Sequence, residues 1–149
     1  MGLIADIGSG RTGIDTSLFI YFIEEDPRFL PLVEPLFGEA DAGARELVTS
    51  ALTLLEVLVV PYRAGDRALA ERYEQLLTRS RGIRVIDLSR DQLRDAAQLR
   101  AANGVKTPDA LQLAAAMGSG CTTFVTNDRR IPEISRMRVL QLADYSGMK

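Results

Sequence analysis

Short apolar runs alternate with helical segments along nearly the whole chain, and this rhythm constrains the fold more than any other feature. Strand-like runs end near Asp15 and cover Leu47 to Thr49, Ile83 to Leu88, Thr122 to Thr126 and Val139 to Leu142. Between them, Ser17 to Glu25 places Leu18, Phe19, Phe22 and Ile23 on one side of a helix. Leu52 to Val60 reads as a helix that Pro61 ends or kinks. Asp66 opens an amphipathic helix through Leu69, Tyr73, Leu76 and Leu77. Ser89 caps a helix that Asn103-Gly104 stops. Thr107 is the expected cap of the next one, with Pro108 at its first position and an apolar stretch from Ala110 to Met117. Pro27, Pro31 and Pro35 predict that any helix in the thirties is short. The alternation implies an α/β domain around a mostly parallel sheet with helices on both faces. Ligands of such sheets bind beyond the C-terminal strand edge, at the switch point.

Four carboxylates stand where these strands give way to helices or turns: Asp15, Glu56, Asp109 and Asp128. Each has an ordinary explanation on its own. Asp15 fits a helix N-cap. Glu56 follows Thr53 at capping-box spacing. Asp109 sits in a first helical turn, where the dipole favours negative charge. Asp128 fits a turn after a strand. Glu56 is nevertheless set among Leu52, Leu54, Leu55, Val57, Leu58 and Val59, where a carboxylate must find water, a donor or a cation. All four also fall at one expected edge of the sheet. Converging acids raise one another's pKa, and a bound cation relieves that repulsion.

The chain has no histidine, so it offers neither an imidazole base for a Ser or Cys nucleophile nor the usual zinc ligand. A hard divalent cation such as Mg²⁺ or Mn²⁺ is the simplest counter-charge for an oxygen donor set. Cys121 is the single cysteine, which excludes an intrachain disulfide and a Cys-rich metal site and points to a reducing compartment. No secretory signal and no run of roughly 18 apolar residues is present, so a cytoplasmic protein without a membrane span is expected. At 149 residues and a net charge of −2, one domain is expected and bulk polyanion binding is disfavoured. Residues 1–12, with the Gly8-Ser9-Gly10 stretch, read as a leader that is flexible, and residues 13–149 as the domain.

In chain order, Gly13-Ile14-Asp15-Thr16-Ser17, Thr53-Leu54-Leu55-Glu56-Val57, Thr107-Pro108-Asp109-Ala110-Leu111-Gln112-Leu113-Ala114 and Thr126-Asn127-Asp128 resemble the motifs of the PIN domain, the nuclease fold of VapC-type toxins. The similarity spans about Ile14 to Leu142. It implies a three-layer α/β/α fold with four to five strands. It also implies a metal-dependent endoribonuclease in which Asp15, Glu56, Asp109 and Asp128 hold Mg²⁺ or Mn²⁺, with Thr126, Thr16 and Ser17 in support. In-line attack by water would leave a 5′-phosphate and a 3′-hydroxyl. The expected partners are RNA, a second copy of the chain and an antitoxin whose tail enters the acidic groove. Ser17 stands where the family often has Asn, and Arg11-Thr12-Gly13-Ile14 is less apolar than a central strand should be. Lys106, Arg129 and Arg130 flank two of the acids and are open to two readings, RNA phosphate contact or plain surface charge.

Two other readings compete. Gly8-Ser9-Gly10-Arg11-Thr12-Gly13 satisfies G-x-G-x-x-G and would suit a dinucleotide if Leu3 to Ile7 were a strand and a helix followed the glycines. A PIN-like module that binds RNA or a partner without cutting is the other, although four intact acids argue against it.

Overall fold

The computed structural model describes residues 2–147; Met1 of the expected leader and Met148 and Lys149 of the expected domain lie outside the described residues. The element order is α1 (Leu3–Ile7), β1 (Thr12–Ile14), α2 (Thr16–Ile23), α3 (Leu30–Asp41), β2 (Leu47–Ser50), α4 (Leu52–Ala64), α5 (Arg67–Arg79), β3 (Ile83–Ile86), α6 (Arg90–Asn103), α7 (Thr107–Gly118), β4 (Thr123–Thr126), β5 (Arg138–Gln141) and a closing 3₁₀ turn (Leu142–Tyr145). The five strands form one sheet in the order β3-β2-β1-β4-β5, and every pairing is parallel. This is the α/β fold expected from the alternation.

Residues of the central strands are buried because helices cover both faces of the sheet. Successive strand residues point to opposite layers. Ile14, Leu47 and Val125 enter the larger core beside Leu18, Phe19, Leu36, Tyr73 and Leu77. Val48 and Phe124 turn the other way, onto Leu113 and Ala116 of α7. Gly13 explains why β1 is less apolar than expected. A Cβ there would stand 2.7 Å from Ala116 Cβ and 2.8 Å from Phe124 Cδ1, so α7 lies directly against the strand backbone.

Several local expectations change. Pro31 falls in the first turn of α3 and is tolerated there, while Pro35 lies inside a full 12-residue helix. Burial of Val33, Leu36, Phe37 and Ala40 outweighs the hydrogen bond that Pro35 forgoes. Pro61 likewise does not end α4. It is itself buried, and the helix continues to Ala64 before Gly65 closes it in the left-handed conformation. Thr107 is the first helical residue of α7 rather than its cap, and Lys106 takes the cap position without a side-chain bond. The expected leader, residues 1–12, carries α1, whose Leu3 and Ile7 lie in the larger core, and Thr12 already belongs to β1. Among the described residues no helix is long and apolar enough to cross a membrane.

The dinucleotide reading is overturned by the same geometry. Leu3–Ile7 is a helix, not a strand, and the Gly8 to Gly13 run leads into β1 instead of out of a strand into a helix. Its backbone N–H groups therefore do not open a helix that could cradle a pyrophosphate.

Candidate metal centre

The strand order reverses between β1 and β4, and these two strands deliver the first pair of acids. Asp15 follows Ile14, which is in register with Val125, so Asp15 lies beside Thr126. The Thr126 hydroxyl donates to Asp15 Oδ2. Asp15 is also the N-cap of α2: Oδ1 accepts from the Ser17 backbone N–H at 3.1 Å and from Ser17 Oγ at 2.5 Å. The cap reading of Asp15 is thus realised, and the same residue lines the cavity at this edge. Burial pushes its carboxyl above the ordinary range, hydrogen bonds from Ser17 and Thr126 oppose that, and the nearby charge of Asp109 adds to it.

Asp128 lies two residues beyond β4. Arg130 grips it with its backbone N–H (2.9 Å), Nε (3.0 Å) and Nη2 (2.8 Å), so the guanidinium binds both carboxylate oxygens. The hydrogen bonds from Arg130 hold the Asp128 carboxyl below its usual range. Asn127 fixes the turn itself. Its Nδ2 donates to the Tyr21 hydroxyl (3.0 Å) and its Oδ1 accepts from Ala143 N–H (3.1 Å).

Glu56 and Asp109 come from helices that start at the same edge. Glu56 is not part of a capping box. The N-cap of α4 is Ala51, the first helical N–H is met by Ser50 Oγ, and Thr53 points instead to Thr49 and Gln112. Glu56 Oε1 accepts from the Thr16 hydroxyl at 2.5 Å. Asp109 sits in the first turn of α7 and carries no ion pair among the described residues. Burial raises its pKa first, the charge of Asp128 next, and Glu56 adds to both, while Arg130 and Lys106 oppose them.

All four acids line one cavity of about 590 Å³, together with Thr16, Ser17, Tyr21, Lys106, Pro108, Gln112, Asn127, Arg129 and Arg130. The sequence expectation of a shared crevice is met in that sense. Their oxygens do not converge on a point, however. Among the described residues no three His, Cys, Asp or Glu side chains are grouped closely enough to hold a metal ion together. Asp15 is turned to Ser17 and Thr126, Glu56 to Thr16, and Asp128 to Arg130. The donor set nonetheless suits a hard cation in kind: every group is a carboxylate, and Asp109 feels the charge of the other acids across the cavity. Of the three flanking cations, Lys106 is exposed at the rim, Arg130 binds Asp128 and Arg129 binds Asp144 of the 3₁₀ turn.

Sequence reasoning missed two kinds of residue. Gln112 looked like one more position of an apolar helix, yet it is 4% exposed and sits where four elements meet. Its polarity at helical spacing from Asp109 (i, i+3) was the available signal. Tyr21 and Asn127 join through a contact 106 residues apart in sequence, for which no local signal exists.

The PIN domain family matches residues 14–137 of the chain. No curated relative matches the sequence. Among solved structures, a toxin–antitoxin complex from Klebsiella pneumoniae is similar with a TM-score of 0.66 at 18% identity, covering 89% of this chain and 98% of that one. VapBC2 from Rickettsia felis, bound to a DNA fragment from its promoter, gives a TM-score of 0.66 at 16% identity, with coverage of 89% and 98%. The Mycobacterium tuberculosis toxin VapC20, which cleaves the sarcin–ricin loop, gives 0.61 at 18% identity, with coverage of 77% and 87%. At these identities the likeness is one of fold. With the family match extending over most of the domain, and with its ordered acids at a single sheet edge, the chain belongs to the PIN domain family.

Proposed function

We propose that this chain is a divalent-metal-dependent endoribonuclease and the toxin half of a VapC-type toxin–antitoxin pair. The observation that carries the reading is electrostatic. Asp15, Glu56 and Asp109 share a cavity, and none has an ion pair among the described residues. A scaffold with no need for uncompensated charge would not gather it there. Asp15, Glu56, Asp109 and Asp128 would hold Mg²⁺ or Mn²⁺. When bound, the cation would supply stabilisation for charge on a phosphodiester and would acidify water for attack.

The remaining chemistry falls to the chain itself. Ser17 binds one oxygen of Asp15 and Thr126 the other, which fixes the carboxylate at the wall of the cavity. Thr16 does the same for Glu56. Lys106, Arg129 and Arg130 stand at the rim of the same cavity, where their N–H donors suit the phosphates of an RNA strand. The fold likeness to toxins that occur in complexes supports an antitoxin partner, and we further infer a homodimer acting in the cytoplasm.

Incubating the purified protein with total RNA, with and without Mn²⁺, and mapping the cut ends tests this directly. New 5′-phosphate ends that appear only with the cation support it. Equal cutting in a chelator overturns the metal role. RNA retained without any cutting would instead favour a binding module.

A further inference from the structure

Gln112 lies beneath the cavity floor, and its side-chain amide can be oriented without ambiguity. The Ser50 backbone N–H can only donate, so the amide atom facing it at 3.1 Å is the acceptor Oε1. The Thr49 hydroxyl also approaches Oε1, at 3.2 Å. Nε2 must then face the opposite way, towards Thr53 Oγ1 at 2.7 Å and Thr16 Oγ1 at 3.3 Å. An amide nitrogen has two protons and accepts none, so both hydroxyl oxygens are acceptors toward Gln112. The Thr16 hydroxyl has one proton of its own. With its oxygen engaged by Gln112, that proton is free to go to Glu56 Oε1 at 2.5 Å.

Direction therefore passes in one sense from the β2 backbone through Gln112 and Thr16 to Glu56. Without the amide, the Thr16 oxygen loses the donor that fixes it and keeps only Thr53 Oγ1, 3.1 Å away, so the hydroxyl is less firmly held on the carboxylate. We propose that Gln112 is a positioning residue that acts through Thr16 to keep the Glu56 carboxylate at the wall of the cavity, within reach of a cation. The assignment rests on the metal-dependent reading above. It differs from simple knitting of α7 to β2, because a purely structural amide would affect stability without depending on Thr16. The network is fully buried at Thr49, Thr53 and Gln112, where hydrogen bonds are strong and unpaired groups are costly.

The test is a double-mutant cycle with Gln112→Met and Thr16→Val, read by calorimetric Mn²⁺ titration of the folded proteins and by RNA cleavage. Each single variant should weaken Mn²⁺ binding about ten-fold and lower kcat more than it changes KM. The double variant should be no weaker than the worse single one, since both break the same chain of contacts. Thr16→Ser, which keeps the hydroxyl, should recover most of what Thr16→Val loses. Mn²⁺ affinity within about two-fold of wild type in Gln112→Met, or losses that multiply in the double variant, would overturn the assignment. Should Gln112→Met fail to fold, the Thr16 pair decides: Thr16→Val binding Mn²⁺ as wild type does overturns it. A wild-type chain that binds Mn²⁺ but cuts no RNA sinks the ribonuclease reading alone, and the titration still decides the role of Gln112. A wild-type chain that binds no Mn²⁺ sinks both.

Discussion

Glu46 and Asp109 are both carboxylates at an end of the sheet, but their surroundings differ completely. Glu46, at the N-terminal edge, meets Arg11 at 2.6 Å and Arg84 at 3.6 Å. Nearby Glu39 meets Arg45 at 2.7 Å, and Arg45 also donates to Thr12 Oγ1 and to the Gly8 carbonyl. Asp109, at the C-terminal edge, shares its cavity with three more acids, and only Asp128 among them has a guanidinium partner. One edge is neutralised by its own chain and the other is left in deficit. The fold balances charge at one edge with residue types it leaves less paired at the other, and the proposed cation site rests on that contrast.

The largest expected effect is at the unbalanced edge. Asp109→Asn or Asp15→Asn should lower metal-dependent cleavage by at least about a hundred-fold, while the metal-free protein melts at a higher temperature than wild type. Cleavage rates and metal-free melting curves check the two halves, and unchanged cleavage would erase the distinction between the edges. At the balanced edge the consequences should reverse. The Arg45 side chain is 7% exposed, so Arg45→Ala leaves Glu39 and Thr12 without their donor and should cost about 2 kcal/mol by denaturant unfolding. Cleavage per folded molecule should not change.

Acidity sharpens the contrast more gently. Asp15 and Asp109 have folded pKa values raised above the ordinary 3.8, so the folded state holds protons that the unfolded chain has already lost. Their contribution to stability is full below 3.8 and is lost as pH rises through the folded values. Metal-free stability should therefore climb as pH falls from neutrality toward that range, and the climb should shrink in Asp109→Asn. Asp128, held low by Arg130, opposes this only below its own ordinary value. Thermal melts across pH 4 to 7 would show it. Smallest of all, Arg11→Ala breaks a pair whose arginine is 48% exposed and should cost at most about 1 kcal/mol, a shift that added salt would hide.

Legibility from sequence followed the same division between local and distant causes. The strands, the Ser89 and Asp66 caps and the Gly104 stop are decided within a few residues, and the structure has them where the pattern put them. The lengths of α3 and α4 were misjudged because burial of Phe37 and Pro61 is a tertiary fact that local proline rules do not contain. Asp15, Asp109 and Asp128 stand at joints between elements, and that placement pointed to a common cavity; Glu56 stands a turn inside α4 and drew notice only through its apolar neighbours. The hydroxyl and amide network under them was not legible. Thr16, Thr53 and Gln112 meet only after three helices and two strands have been placed.

Residue 13 gives the crevice its gauge. The helix bearing one jaw and the strand bearing the other approach so closely at that glycine that the space has no room for a methyl group. Any bulkier substituent would act as a shim and prise the jaws apart. On the metal-dependent reading proposed above, ion size preference is expected to be adjustable from this position, and Gly13→Ala should shift the balance from Mg²⁺ toward a larger cation such as Ca²⁺ in competitive binding.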